Sequence, residues 1–230
     1  MERHKKYLTK RDHKILEFIT RYRIGTNALL RDCCFEAGIG LKNVDRVLLR
    51  LVRRKLVRRS ALDTGWSYYT MTRRGLGLKD NNAKTPPPLT EQTLPVVLAT
   101  AKYCVANDVR RFTRDEFVQR YPAYVRPGIC CSNYALRKTE TGHKLELLVT
   151  DRGGAAHRIR TRVRRFIWQR KDIAPFAALM RDGKFRITVL TATPEHRWKI
   201  LRRIGDSFEP VEVAAVVIPD LADLLMLRKK

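Results

Sequence analysis

The sequence predicts an α+β chain in two parts, and three observations predict it. Apolar residues recur three and four apart through residues 9–53, which is a helical period. Two runs rich in β-branched and aromatic residues then flank the turn-prone Asp63-Thr64-Gly65. Past Pro86-Pro87-Pro88, strands alternate with helices, which argues for a mixed α/β sheet with its own core. The predicted divisions are 1–79, a proline-rich linker at 80–93 that favours an extended spacer, and 94–230.

Thr9, with Asp12 three residues later, predicts the first helix start: the hydroxyl caps a free amide and the carboxylate favours the positive end of the helix dipole. Ile15, Leu16, Ile19 and Tyr22 form its apolar stripe. After the break at Ile24-Gly25, Thr26 opens a second helix through Leu29, Leu30 and Phe35, and the stretch from Gly38 to Gly40 ends it. The next segment, residues 41–59, reads LKNVDRVLLRLVRRKLVRR. Leu41, Val44, Leu48, Leu51 and Lys55 follow one helical stripe, widened by Val47 and Val52. Lys42, Asn43, Arg46, Arg50 and Arg53 fall on the opposite side. One face is fitted to a core and the other to an anion. Residues 56–61 and 66–72 then predict a hairpin.

Three helices followed by a hairpin is the order of a winged helix-turn-helix domain, whose third helix enters the major groove while the hairpin lies along the neighbouring backbone. The phrase KLVRR, a polar turn and YYTMTRRG resemble the way bacterial winged-helix regulators end that helix, build the wing and leave it. On this reading Lys42, Asn43, Arg46 and Arg50 meet base edges, because Asn and Arg make paired hydrogen bonds to adenine and guanine. Arg53, Arg54, Arg58, Arg59, Arg73 and Arg74 contact phosphates, fixing register without reading sequence. Any one of these taken alone is equally a solvated surface charge.

Composition points the same way. With 48 Lys and Arg against 23 Asp and Glu, the net charge of +25 creates a field that draws in polyanions, a bias shared by ribosomal and membrane-surface proteins. Residues 1–80 hold 20 basic and 8 acidic residues, so the excess is spread over both parts rather than held in one tail. No stretch approaches the roughly 18 apolar residues of a membrane helix, and MERHKKYLTKRD lacks the apolar centre of a signal peptide. The expectation is a cytoplasmic protein without membrane partners. Cys33, Cys34, Cys104, Cys130 and Cys131 form no C-x-x-C pair and read as reduced thiols, mostly buried.

In the second part, 94–105 predicts a helix, and Thr113 with Glu116 opens a short one that ends before Pro122. Strands are expected at 133–137, 144–150, 185–191 and 211–218, and helices at 155–170 and 194–204, the latter with Thr193 as cap and Pro194 first. From Arg152 to Lys171 there are eight basic residues and no acidic one. Ile159, Val163, Phe166, Ile167 and Arg170 mark a stripe that can face the sheet; Arg158, Arg160, Arg162, Arg164 and Arg165 crowd the remainder and suggest a second DNA surface.

The phrases LELLVTDRGG, RIRTRVRRFI, FRITVLTATPEHRWKILRRI and VEVAAVVIPDLADLL resemble the second domain of the plasmid replication-relaxation family. That resemblance implies a bacterial protein of a plasmid or integrative element, with a winged helix before a domain related to the PD-(D/E)XK nuclease fold. Such nucleases need paired carboxylates for Mg²⁺ and a nearby lysine. Here the first strand offers Asn133, and the next offers Val149-Thr150-Asp151-Arg152, with Glu146 a distant second. One carboxylate holds a dehydrated Mg²⁺ poorly, so the expectation is a nuclease-like scaffold with no catalytic residue, metal or cofactor. Asp151 reads instead as a salt-bridge partner of an arginine or a turn residue before Gly153-Gly154. His4, His13, His143, His157 and His196 match no ligand spacing, and no G-x-S-x-G elbow occurs.

The function expected is sequence-specific binding of double-stranded DNA, as a transcriptional regulator or a replication or mobilisation control factor. The alternatives are a metal-dependent nuclease at a plasmid origin and a partner of a relaxase or replication protein. Two-fold sites call for a homodimer, with the apolar run 221–227 as either an interface element or part of the protein's own core.

Overall fold

The computed structural model describes residues 8–61, 65, 67–78, 87–140 and 142–226. The chain is α+β and divides into two compact units, Met1–Thr90 and Glu91–Lys230.

The first unit runs α1 (Lys10–Tyr22), α2 (Asn27–Cys34), α3 (Leu41–Arg53), β1 (Val57–Ala61), β2 (Ser67–Met71) and α4 (Arg73–Leu76). α1 opens in a reciprocal cap: Asp12 N–H donates to Thr9 Oγ1 at 3.2 Å, and Thr9 N–H donates to Asp12 Oδ2 at 3.0 Å. β1 and β2 pair antiparallel, and Gly25 adds a one-residue third strand through two backbone bonds to Tyr69, of 2.9 and 2.8 Å. A side chain at Gly25 would meet Leu30 Cδ1 at 2.8 Å, so glycine lets α2 close over that bridge. Ile15, Ile19, Leu30, Val44, Leu48, Leu51 and Tyr69 are wholly buried and form the core.

α3 stops by a Schellman turn, in which Leu56 N–H reaches Leu51 O at 3.0 Å and Lys55 N–H reaches Val52 O at 2.8 Å. Lys55 sits at φ 59 in that turn, so it is not part of the helical stripe to which the periodicity assigned it. Leu41, assigned to the same stripe, is 46 % exposed at the start of α3. Of the expected hairpin turn, Asp63 and Thr64 lie outside the described residues, as does Trp66, and Gly65 has φ 78. α4 was not foreseen. Thr72 builds it, accepting from Gly75 N–H at 3.1 Å and donating to the Lys55 carbonyl at 2.6 Å.

The second unit runs α5 (Leu94–Ala106), β3 (Arg110–Arg111), α6 (Arg114–Arg120), a 3-10 turn at Pro122–Tyr124, β4 (Tyr134–Thr139) and β5 (Gly142–Thr150). Then come α7 (Ala156–Lys171), α8 (Ala174–Arg181), β6 (Phe185–Thr191), α9 (Pro194–Ile204), β7 (Glu212–Val217) and α10 (Leu221–Met226). The sheet order is β3-β4-β5-β6-β7, antiparallel from β3 to β5 and parallel from β5 to β7. Leu145, Leu147 and Val149 of β5 enter an apolar core with residues of α7, α8 and α9, including Val163, Phe176 and Ile200. Glu146, on the alternate face, meets Tyr103 of α5. β5 is therefore buried on both sides, as a central strand with parallel pairing requires. α10 packs on α5, burying Leu221 and Leu224, so the described part of the 221–227 run belongs to the unit's own core.

Glu146 organises the α5 face. It is wholly buried and accepts from Tyr103 Oη at 2.6 Å and from Thr188 Oγ1. Arg137 Nε lies 3.4 Å from one of its carboxylate oxygens and Arg186 Nε 3.4 Å from the other. Glu146→Ala removes the carboxylate shared by both guanidinium groups, leaving Arg186 with Glu212 and Arg137 with Tyr103, and should lower the stability of the second unit by about 2–3 kcal/mol, read from its urea midpoint. Glu146→Gln, which keeps a carbonyl acceptor, should lose less.

Candidate nucleic-acid interface

α3 carries two carboxylate-anchored contacts, both directed inward. Asp12 of α1, wholly buried, accepts from Arg50 at 2.5 Å. Asp45 of α3 accepts from Asn27 Nδ2 at 3.4 Å and from Tyr69 Oη at 3.3 Å, tying the helix to α2 and β2. With Val44, Leu48 and Leu51 buried, the helix is fixed on three sides. Burial, then the Asp45 charge, pushes the Tyr69 phenol up to about 12.

The outward face remains cationic. Lys42, Asn43, Arg46 and Arg53 are exposed, and no acidic residue stands in the first turn of α3. Gly40 caps the helix without a side-chain bond, so its first amides and the positive end of its dipole are left open. Exposed Leu41 joins this surface, a residue the apolar periodicity had hidden by placing it in the core. Arg50, assigned to base reading with them, pairs through its guanidinium with buried Asp12 while its side chain stays 39 % exposed. Periodicity placed it on the outer side, and only the tertiary approach of α1 shows the partner.

The residues expected to hold phosphates do not form one surface. Arg54 is half-buried at the end of α3, while Arg58, Arg59, Arg73 and Arg74 are exposed. Arg58 and Arg59 are neighbours on β1 and so project from opposite faces of the hairpin. Arg59 Nε donates to Ser67 Oγ at 3.1 Å. Arg58 and Arg73 instead line a cavity of about 390 Å³ together with Arg23.

In the second unit the arginines of α7 flank its buried stripe on both sides rather than crowding one face. Arg158, Arg162 and Arg165 follow i, i+4, i+7 spacing; Arg160 and Arg164 fall on the other edge. Arg158 and Arg162 join Arg152 around the Gly153-Gly154 loop, at a cavity of about 330 Å³. Arg162 donates to the Thr150 carbonyl at 3.2 Å, and burial followed by the Arg152 charge pulls its pKa below the usual arginine range. Arg160 donates to Ser207 Oγ at 3.4 Å, while Arg158, Arg164 and Arg165 are exposed. Arg170 is buried, donating to Tyr134 Oη at 2.6 Å, and serves the core. Trp198, 59 % exposed with Arg202 stacked 5.1 Å from its ring, adds an aromatic surface that the sequence reading missed.

Asp151 is engaged, though not by an arginine as one reading of the sequence had it. Its Oδ1 accepts from Gly153 N–H at 3.1 Å, the turn role expected, and His196 Nε2 lies 2.8 Å from its Oδ2. Among the described residues no three His, Cys, Asp or Glu side chains are grouped to hold a metal ion. Burial pushes the Cys33 thiol to about 11 and Cys34 to about 12, so neither ionises near neutral pH. No helix among the described residues is long and apolar enough to cross a membrane.

Among known proteins, no family model, curated protein or solved structure matches the chain.

Two outcomes follow from the clamp on α3. Asp12→Ala removes the acceptor for Thr9 N–H, one half of the α1 cap, and the Arg50 partner, and should destabilise the first unit by about 2–4 kcal/mol, measured by urea unfolding. The Tyr69 phenol is held neutral by the fold, so an unfolded chain loses that proton near 10 and the folded one near 12. Stability present below pH 10 is therefore lost as the pH rises toward 12. Tyr69→Phe should flatten that fall in urea midpoint against pH.

Proposed function

We propose that the first unit is a winged helix-turn-helix domain that reads double-stranded DNA, with α3 in the major groove. The observation that carries this reading is the exposed set Lys42, Asn43 and Arg46 on a helix whose anchoring carboxylates both lie on its inner side. Asn43 and Arg46 supply the bidentate donors that discriminate bases, and Leu41 offers an apolar contact for a thymine methyl group. Arg53, Arg59 and Arg74 hold backbone phosphates. Arg50, partly exposed on the same helix and paired with buried Asp12, ties α3 to α1.

The second unit, in this proposal, is a nuclease-like scaffold without a working metal site, and it supplies a second phosphate contact through Arg152, Arg158, Arg162 and Arg165. The engagement of Glu146 and Asp151 by internal partners supports a non-catalytic reading. The likeness to the plasmid replication-relaxation family sets the context proposed: a regulator or mobilisation control factor of a mobile element, acting as a homodimer on two-fold sites.

Selection from a random duplex library tests this. The wild type should enrich one motif, and Arg46→Ala should relax preference at a definite base position, with a loss of about 1–3 kcal/mol there. Arg74→Ala should leave the motif intact and lower the slope of log affinity against log salt by about one. Equal affinity for all duplexes, or Mg²⁺-dependent cleavage abolished by Asp151→Ala, would overturn the proposal.

A further inference from the structure

The cavity shared by Arg23, Arg58 and Arg73 has a chemistry that DNA reading leaves unused. It encloses about 390 Å³ between the end of α1, the hairpin, α4 and residues 87–89. Ile19, Met71, Leu76 and Leu89 make its walls largely apolar, and Thr20, Thr70 and Thr72 add hydroxyl groups. Among the described residues no Asp or Glu lines it, and no ion pair or side-chain hydrogen bond occupies the three guanidinium groups.

Three like charges gathered at one cavity repel, and apolar walls left to water forgo the gain of burial. Both penalties are relieved by one kind of occupant: an apolar body that fills the space and carries an anionic group for the arginines. A bare inorganic anion satisfies the cations and leaves the walls wet. A DNA phosphate does the same, since its neighbours are sugars and further charges. Arginine's planar donor fork suits a carboxylate, sulfonate or phosphate end group, and the threonine hydroxyls can add bonds to it.

We propose that this cavity is a binding site for a small organic anion with an apolar, ring-sized body. The walls come from elements far apart in sequence: α1, the hairpin, α4 and residues 87–89. An occupant therefore bridges the hairpin, α4 and residues 87–89. The pocket's chemistry stands whether or not α3 reads DNA.

The test uses the full chain, free of DNA, titrated with naphthoate, with neutral naphthol and with inorganic phosphate, followed by amide NMR. Naphthoate should give saturable shifts at Thr20, Thr70, Leu76 and Leu89, and the other two probes should not. The double variant Arg58→Gln, Arg73→Gln should bind naphthoate about tenfold or more weakly, as expected when charge-assisted bonds are lost, while its remaining spectrum reports an intact fold. A wild-type response scattered over the basic surface, an equal response to naphthol or phosphate, or unchanged affinity in the folded variant would overturn the site. The localisation in the wild type decides the matter even if that variant fails to fold.

Discussion

The first unit depends on how a strongly basic helix is held without being neutralised. Asp12 and Asp45 meet that constraint from the inner side: one takes Arg50 from the buried start of α1, the other joins Asn27 and Tyr69. Charges of one sign on a helix repel along it, so packing alone must overcome that repulsion or a carboxylate must offset it. A carboxylate on the outer face would stabilise the helix and cancel its attraction for an anion. Placed underneath, it fixes the helix, and among the described residues no carboxylate pairs with Lys42 or Arg46.

The second unit repeats the arrangement. Glu146 sits wholly buried between Arg137 and Arg186, and Asp151 turns toward His196 and Gly153. Carboxylates thus serve as internal fasteners while Arg158, Arg164 and Arg165 face outward, so a net charge of +25 coexists with ordered cores. A buried carboxylate of this kind stabilises only with its partners in place, since either half left alone in a low-dielectric interior is unfavourable. The scaffold and the outward charge are therefore products of the same residue placement.

Much of this was legible in the chain. Thr9 with Asp12 and Thr113 with Glu116 marked two helix starts, and both form reciprocal caps. β6 and α9 occupy the expected 185–191 and 194–204, because β-branched runs and a Thr-Pro cap are local signals that tertiary packing had no reason to override. What escaped was set by approach across the fold. Arg50 lies on the outer side by period, yet α1 brings a carboxylate to it. Arg58 and Arg59 look alike in sequence, and the pleat sends them to opposite faces. Leu41 satisfied the apolar spacing but is the first residue of α3, where the core does not reach it. α8 is only eight residues long, too short for its apolar spacing to declare a helical period, although Pro175 stands in its first turn.

The most direct measurement is photo-crosslinking of the full chain to a duplex carrying iodouracil through a bound site, with the attached peptides identified by mass spectrometry. Attachment at residues 41–46, on the outer face of α3, is the result this account predicts. Crosslinks confined to the arginines of α7, with α3 untouched, would contradict it.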